Sequence, residues 1–495
     1  MNLVVRQSIK GAVINYLGAF IGFLSTFFII TKFLSKEEIG LIRVMNEAAL
    51  LLAGFAQLGV TSSALRFFPY FKNEQKKNNG FFFYLMAIPL VGCAVFLPLF
   101  AFLSEPLSAY FSKNSQLFVD YYDWVIPLAF ALVYLGVFET YASAQMRIAI
   151  PKFIREVLIR VLLIGLYLLY GFDVIHVTGL IVGNTIIFLF AMLANLYYLS
   201  RITSVSLKHD PAFVSPSLRN DARNYTLILM IGAIGGSIVS KIDIFMISSQ
   251  MGLDYTAVYT IAFFMVATID IPARSITAIS APMAATALKS GDFAEANRIY
   301  RNVALHQFIA GSFVFLFIWI NINNIFDIIP NGDGFEQGKW VFFFLGLSKL
   351  VEVSLAFGTN LISYSRFYHW GLYFVFFISA VTVVSNYLLI PIYGITGAAL
   401  ATTLTCLISY GSQQWLVFTK LKSNPYSIPL FKQLLLVTCC VVANIFIPSW
   451  SNPWLDGVVR TGLIAVVALP AFYFLQISKD ANQLISGSLK KLFRK

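Results

Sequence analysis

The feature that most constrains this chain is a series of long segments without charged residues. Phe367–Thr419 contains no Asp, Glu, Lys or Arg, and Gly80–Leu103 is a second segment of this kind. About 20 mostly apolar residues suffice for a helix to cross a bilayer. Because lipid cannot satisfy open backbone groups, such segments are helical. We therefore predict an all-α, polytopic membrane protein.

The same criterion applied along all 495 residues predicts 14 transmembrane helices. Pro391 and Gly394 interrupt the longest uncharged segment, which then forms two helices and a tight turn. The predicted spans are 10–32, 43–65, 80–103, 122–146, 157–172, 177–200, 225–250, 255–284, 302–326, 338–363, 368–391, 394–419, 431–449 and 457–477.

The positive charges indicate an orientation. The chain carries a net charge of +12, and most of its 35 Lys and Arg residues fall in alternate loops. Lys and Arg are enriched in the cytoplasmic loops of membrane proteins, so this pattern predicts that both termini are cytoplasmic. The same pattern accounts for the positive charge without a nucleic-acid partner. The predicted outer segments hold only Lys32, Lys36, Arg43, Lys113, Lys339 and Arg460.

An internal similarity suggests repeated halves. Val177–Thr185 resembles Ile395–Thr403, and both segments run in the same direction through the membrane. This predicts two parallel six-helix lobes, although small residues after a turn are also common helix-packing positions. The predicted divisions are 1–200 for an N-terminal lobe, 201–224 for a cytoplasmic linker, 225–419 for a C-terminal lobe, 431–477 for spans 13 and 14, and 478–495 for a basic cytoplasmic tail.

Seven ionisable residues fall inside predicted spans. At about 3 kcal/mol each, exposing all of them to lipid would cost on the order of 20 kcal/mol, so they must pair or face water. Asp270 and Arg274 share one helix face, as do Lys349 and Glu352, and both self-neutralisation and a hydrated cavity explain such pairs. Lys241 lies about 200° from Asp243, so at least one of them needs a partner from another span. The seven residues are Glu139, Lys241, Asp243, Asp270, Arg274, Lys349 and Glu352.

No catalytic or nucleotide-binding motif stands out. The sequence has no phosphate-binding loop of the Gly-x-x-x-x-Gly-Lys-Ser/Thr type, and its four His residues lack metal-ligand spacing. We therefore expect a protein that is not an enzyme and has no cofactor or metal, with H+ or Na+ as candidate coupling ions. The candidate residues for ion coupling or gating are Glu47, placed near the outer end of span two, with Glu139, Asp243, Asp270 and Glu352.

Several short motifs together resemble the polysaccharide transporter branch of the multidrug, oligosaccharidyl-lipid and polysaccharide (MOP) flippase superfamily. The resemblance implies a V-shaped, MATE-like architecture and alternating access in the bacterial inner membrane. Its implied cargo is an undecaprenyl-pyrophosphate-linked oligosaccharide, carried to the outer leaflet for O-antigen, capsule or exopolysaccharide assembly. The motifs are Phe33-Leu-Ser-Lys-Glu-Glu-Ile-Gly40, Gly59 with Arg66-Phe-Phe-Pro69, Gly291-Asp-Phe-Ala-Glu-Ala-Asn-Arg298, and Gly394-Ile-Thr-Gly-Ala-Ala399.

For such a cargo, Lys241, Arg274 and Lys349 are the hypothetical phosphate-binding residues of the cavity. Arg66 and Arg147 at the inner mouth either attract the headgroup or only follow the positive-inside rule. We expect a monomer among membrane lipids, with the lipid-linked oligosaccharide as substrate and a polymerase and other glycan-assembly proteins as partners.

Three alternatives stay open. A cation-coupled multidrug antiporter of the same superfamily commonly has an acid in span one, where this chain offers only Asn15, Ser25 and Thr26. A lipid II flippase would carry an Arg-Asp pair there, and none is present. A membrane polymerase needs a large outer loop, and the segments 104–121 and 326–339 are short.

Overall fold

The computed structural model describes residues 3–73, 75–203, 205–208, 213–367, 369–478, 480 and 482–483. The described residues form helices and no β-strand, which confirms the all-α prediction. Parts of the predicted linker 201–224 and most of the predicted tail 478–495 lie outside the described residues. The α-helices are α1 (Leu3–Leu24), α2 (Thr31–Phe33), α3 (Lys36–Ala56), α4 (Val60–Phe71), α5 (Phe81–Phe102), α6 (Ser104–Phe111), α7 (Gln116–Asp120), α8 (Val125–Ala144), α9 (Ala149–Phe153), α10 (Ile159–Gly171), α11 (Val177–Ile202), α12 (Pro216–Met251), α13 (Leu253–Ala267), α14 (Ile271–Lys289), α15 (Phe293–Ile320), α16 (Ile322–Ile328), α17 (Lys339–Leu355), α18 (Phe357–Tyr364), α19 (Trp370–Leu421), α20 (Ile428–Ile445) and α21 (Pro453–Phe474).

Many of these helices are long and apolar enough to cross a membrane. Among the described residues there are 11 such helices, or 12 if the bent pair Phe335–Leu355 and Phe357–Tyr364 forms one span. The predicted count of 14 is not confirmed. Two predicted spans, 368–391 and 394–419, correspond to the two parts of α19 on either side of a break at Gly394, and the predicted span 157–172 corresponds to α10, which has 13 residues after a π-helical segment, Ile154–Leu158.

The chain divides into two compact units, Met1–Ala257 and Val258–Lys495. In the first unit α8 is central and packs against α3, α4, α5 and α11. In the second unit α15 has this role and packs against α14, α17 and α20. The predicted lobes were drawn from a sequence repeat and remain a prediction; α12, assigned there to the second repeat, packs on α3 and α4 within the first unit.

The motif that precedes Gly40 starts helix α3. The Ser35 side chain accepts a hydrogen bond from the Glu38 backbone N–H, and the Ser35 N–H donates to Glu38 Oε2 at 2.8 Å. This reciprocal capping box satisfies two backbone donors that a helix start leaves open. At Gly40 an added Cβ would lie 2.1 Å from the Leu253 carbonyl oxygen. The glycine therefore permits a close approach between α3 and the start of α13.

Two glycines in the motifs occupy backbone conformations that other residues avoid. Gly59, at φ 73°, separates α3 from α4, so that the predicted span 43–65 is interrupted at this residue. Gly394, at φ 60° and ψ −139°, interrupts α19 next to Pro391. The tight turn expected at Pro391 and Gly394 is thus present, because only glycine enters this region of φ and ψ without a steric penalty.

Candidate functional site

Two helical spans of the second unit are interrupted near their midpoints. A 3₁₀ turn at Thr268–Asp270 leads into α14, which has Pro272 in its first turn. The other interruption separates α17 from α18, where the chain bends by 40°. α14 packs on α18, and the 3₁₀ turn packs on α17, so the two interruptions are neighbours.

Helix α15 supplies polar side chains to both interruptions. Gln307 Nε2 donates to the Ala273 carbonyl oxygen at 2.9 Å and to Thr277 Oγ1 at 2.7 Å. Seven residues earlier along the helix, the Tyr300 hydroxyl donates to the Leu355 carbonyl oxygen at 3.1 Å. A broken helix inside a membrane is stable when such partners satisfy its backbone groups. Gln307 and Tyr300 were missed in the sequence, because nothing in their spacing marks them.

The charged residues predicted in this unit lie beside the interruptions. Arg274 Nε is 2.8 Å from Asp270 Oδ2, and Lys349 Nζ is 2.7 Å from Glu352 Oε2. The two same-face pairs are therefore formed within their own helices. Because the 3₁₀ turn that contains Asp270 packs on the helix that carries Lys349 and Glu352, the four charges belong to one region.

These ion pairs are not sealed from their surroundings. The Arg274 side chain, in the first turn of α14, is 75% exposed, and the Glu352 side chain is 35% exposed. An arginine that faces lipid inside a bilayer costs about 3 kcal/mol or more. The exposed face of the second unit near Arg274 is therefore suited to water or to an anionic ligand.

In the first unit Lys241 obtains its partner from another helix. Its ammonium group pairs with Glu47, which also accepts an ion pair from Arg43 at 2.8 Å. The sequence analysis placed Arg43 in an outer segment and Glu47 near the outer end of a span that begins at residue 43, and these positions relative to the membrane remain predictions. Helix α3 begins at Lys36, so Glu47 lies about 16 Å along it and is buried.

Glu139 pairs with a residue that the sequence pattern assigned only to the inner surface. Arg155 Nη1 is 2.5 Å from Glu139 Oε2, and Arg155 belongs to the π-helical segment Ile154–Leu158. In the same segment Glu156 pairs with Arg160 at 2.9 Å. Among the described residues, the second carboxylate oxygen of Glu139 is buried without a hydrogen-bond partner. The position of Glu139 inside a predicted span was the one signal for this pair in the sequence, because a carboxylate there needs a cationic partner.

The remaining predicted site residues lie on α12, on α4 and between α8 and α9. Asp243 is half-buried on α12, two residues after Lys241. Arg66 is exposed on α4, with its guanidinium 4.0 Å from the centre of the Tyr225 ring. Arg147 is exposed in the turn between α8 and α9. Within the described part of the chain, no group of three or more His, Cys, Asp or Glu could hold a metal ion.

Arg460, counted among the outer basic residues in the sequence, belongs to a buried network. It lies in α21 with its guanidinium bound to the Asp456 carboxylate by Nε at 2.9 Å and Nη2 at 3.1 Å. The same carboxylate accepts from Asn324 Nδ2 at 2.5 Å and from the Trp450 N–H at 3.0 Å. Both charges are buried, so this network fastens α21 to α16 within the second unit.

The fold can be compared with the folds of known proteins. No protein-family model matches the sequence, and no curated protein matches it. Solved structures do match, among them a lipid II flippase and transporters of the MOP superfamily. The chain therefore has the same fold as these structures.

Three of the similar structures show how far the likeness extends. The lipid II flippase MurJ, in an inward closed conformation, aligns at a TM-score of 0.72 and 12% identity over 95% of this chain and 100% of its own. An inward-facing MATE multidrug resistance transporter of the MOP superfamily aligns at a TM-score of 0.62 and 15% identity, over 85% of this chain and 98% of its own. A MOP superfamily transporter from Pyrococcus furiosus aligns at a TM-score of 0.56 and 14% identity, over 85% of this chain and 96% of its own.

Proposed function

We propose that this protein is a flippase for lipid-linked oligosaccharides. Its cargo would be an oligosaccharide on undecaprenyl pyrophosphate, moved from the cytoplasmic to the outer leaflet of a bacterial inner membrane for O-antigen, capsule or exopolysaccharide assembly. The transporter fold and the motif resemblance support this class. The observation that carries the proposal is Arg274, a largely exposed cation beside a helix interruption that is paired with the Asp270 carboxylate.

The chemistry of the cargo suits the charges of the site. A pyrophosphate offers several oxygens to Arg and Lys, and hydrogen bonds between charged groups are stronger than neutral ones. In the proposed cycle Arg274 exchanges Asp270 for a phosphate oxygen, and Lys349 exchanges Glu352 in the same way. Lys241 is the corresponding cation of the first unit, where Glu47 is its resting partner. Arg66 and Arg147 would attract the headgroup at the inner surface.

Energy for the cycle would come from a coupling ion and from removal of the product. Each charge that moves down the membrane potential supplies about 2.3 kcal/mol per 100 mV. The proposed carriers of H+ or Na+ are Glu139, Asp243, Asp270 and Glu352, with Glu47 as a gate. A polymerase or another glycan-assembly protein outside would consume the delivered oligosaccharide. We propose that the protein acts as a monomer with both termini in the cytoplasm.

The test begins in cells from which the gene has been deleted. If the proposal is correct, a lipid-linked oligosaccharide accumulates in the inner leaflet and is identified by mass spectrometry. The purified protein in liposomes then makes that same lipid accessible from the opposite side. A deletion strain without any accumulated lipid-linked glycan, together with inactive liposomes, would refute the proposal.

A second candidate is lipid II transport. It is favoured by the likeness to MurJ, whose structure aligns with more of this chain than the MATE structures do. Purified lipid II in the same liposomes distinguishes the two, because it carries a peptide and a disaccharide on the shared prenyl pyrophosphate. Movement of a fluorescent organic cation in place of either lipid would favour a cation-coupled multidrug antiporter.

A further inference from the structure

A row of hydroxyl and amide side chains lies next to the charged pairs of the second unit. Cys406, Ser409 and Gln413 are three and four residues apart on α19, so they share one face of that helix. Cys406 Sγ contacts the Ser348 carbonyl oxygen at 3.2 Å, directly before Lys349. The polar face therefore begins beside the charged region and continues for about 10 Å toward the end of α19 that carries Lys420.

The row is joined to the neighbouring helix α18 by hydrogen bonds. Thr359 Oγ1 donates to Gln413 Oε1 at 2.5 Å, and Gln413 Nε2 donates to Ser409 Oγ at 3.0 Å. Thr359 is exposed, and so is Ser363 one turn further along α18. The row consequently presents both donors and acceptors on an accessible surface. We call Thr359, Ser363, Ser409 and Gln413 the polar row.

The residue next to Gln413 has a different environment. Gln414 is buried, accepts a hydrogen bond from Tyr300 at 2.7 Å and lies against the Ser423 carbonyl oxygen. Its polar atoms are thus used inside the helix bundle, where they hold α19 to α15. Gln413 is only partly buried and is bonded instead to Thr359 and Ser409, and amide groups that face lipid are unfavourable. The surface of the polar row is therefore suited to water and to a hydrated ligand.

We propose that the polar row is the binding surface for the sugar chain of the cargo. This inference rests on the proposed function and extends it from the pyrophosphate to the glycan. Sugar hydroxyls both donate and accept hydrogen bonds, as amide and hydroxyl side chains do. With the pyrophosphate at Arg274 and Lys349, the sugar next to it lies over Ser409, Gln413 and Thr359. The mutual hydrogen bonds of the row are exchanged for bonds to the sugar.

The test compares two lipids that differ only in the sugar. One is the lipid-linked glycan isolated from the deletion strain, and the other is undecaprenyl pyrophosphate, which has the same tail and pyrophosphate. Binding of each to the purified full-length protein is measured by native mass spectrometry. Gln413→Leu and Thr359→Val are expected to weaken binding of the glycan lipid about tenfold and to leave undecaprenyl pyrophosphate unchanged.

The controls separate this inference from the proposed function. Thr419→Val alters another exposed polar residue of α19, whose hydroxyl donates to the Trp415 carbonyl oxygen, and it should change neither affinity. Since the result is a ratio within one preparation, a partly inactive sample does not alter it. Equal effects on both lipids, or no effect, would overturn the sugar-binding role alone. A wild-type protein that binds neither lipid would overturn the proposed function as well.

Discussion

Glu47 and Lys241 form an ion pair that joins α3 to α12 within the first unit. Glu47 is 4% exposed and also neutralises Arg43, so one buried carboxylate serves two cations. Removing one partner of a buried pair leaves an uncompensated charge in a medium of low polarity. This relationship makes Glu47 a structural residue of the first unit, whatever part it has in gating.

Glu47→Leu should therefore lower stability by about 3–5 kcal/mol, because Lys241 and Arg43 both lose their carboxylate. The measurement is thermal unfolding of the purified protein in detergent. Glu295→Leu is the matched control, since Glu295 forms an exposed pair with Arg298 at 2.6 Å and its removal should change the Tm little. Similar Tm values for Glu47→Leu and wild type would contradict the assignment.

Arg274→Ala should abolish transport without loss of stability. The side chain is largely exposed, so truncation leaves no cavity, but it removes the cation proposed to hold the pyrophosphate. Export is measured as the cell-surface polymer, and the amount of protein in the membrane is measured beside it. Arg298→Ala, which removes another exposed, paired arginine, should leave export normal. Normal export in Arg274→Ala would remove the main support for the proposed function.

Asp456→Ala should loosen α21. The carboxylate holds Arg460, Asn324 and the Trp450 N–H, and its loss leaves a buried guanidinium unpaired at a cost of about 3–5 kcal/mol. Hydrogen exchange should become faster in α21 and in the segment that precedes it. Asn324→Ala removes a single bond of the same network and should cost about 1 kcal/mol. Unchanged exchange in both variants would show that the network does not fasten α21.

Gly394→Ala should destabilise the turn within α19. Its φ and ψ are almost restricted to glycine, so a side chain costs about 1–3 kcal/mol there. Gly371→Ala is the control, because Gly371 lies in the same helix with no atom within 4 Å of an added Cβ. Alanine favours the helix at that position by roughly 0.5–1 kcal/mol. A comparable Tm for the two variants would mean that the turn adapts to alanine.

Much of the architecture could be predicted because its causes are local in the sequence. Uncharged segments of about 20 residues have to become helices in lipid, and the break at Pro391 and Gly394 in the longest of them lies where the sequence predicted it. The ion pairs of Asp270 with Arg274 and of Lys349 with Glu352 follow from helical spacing alone. The predicted count of 14 spans is not confirmed, because hydropathy does not fix where helices such as α10 begin and end.

The partners of Lys241 and Glu139 required the tertiary structure. A charge inside a span needs a partner, but the sequence does not show which residue that partner is. Glu47 and Arg155 become their neighbours through the packing of different helices, and Gln307 and Tyr300 reach the broken helices for the same reason. The sequence by itself therefore determined that this protein is a helical membrane protein with charges to neutralise. Only the packing of the helices decided which groups neutralise Lys241 and Glu139, because the distance between side chains of different helices is a property of the folded chain.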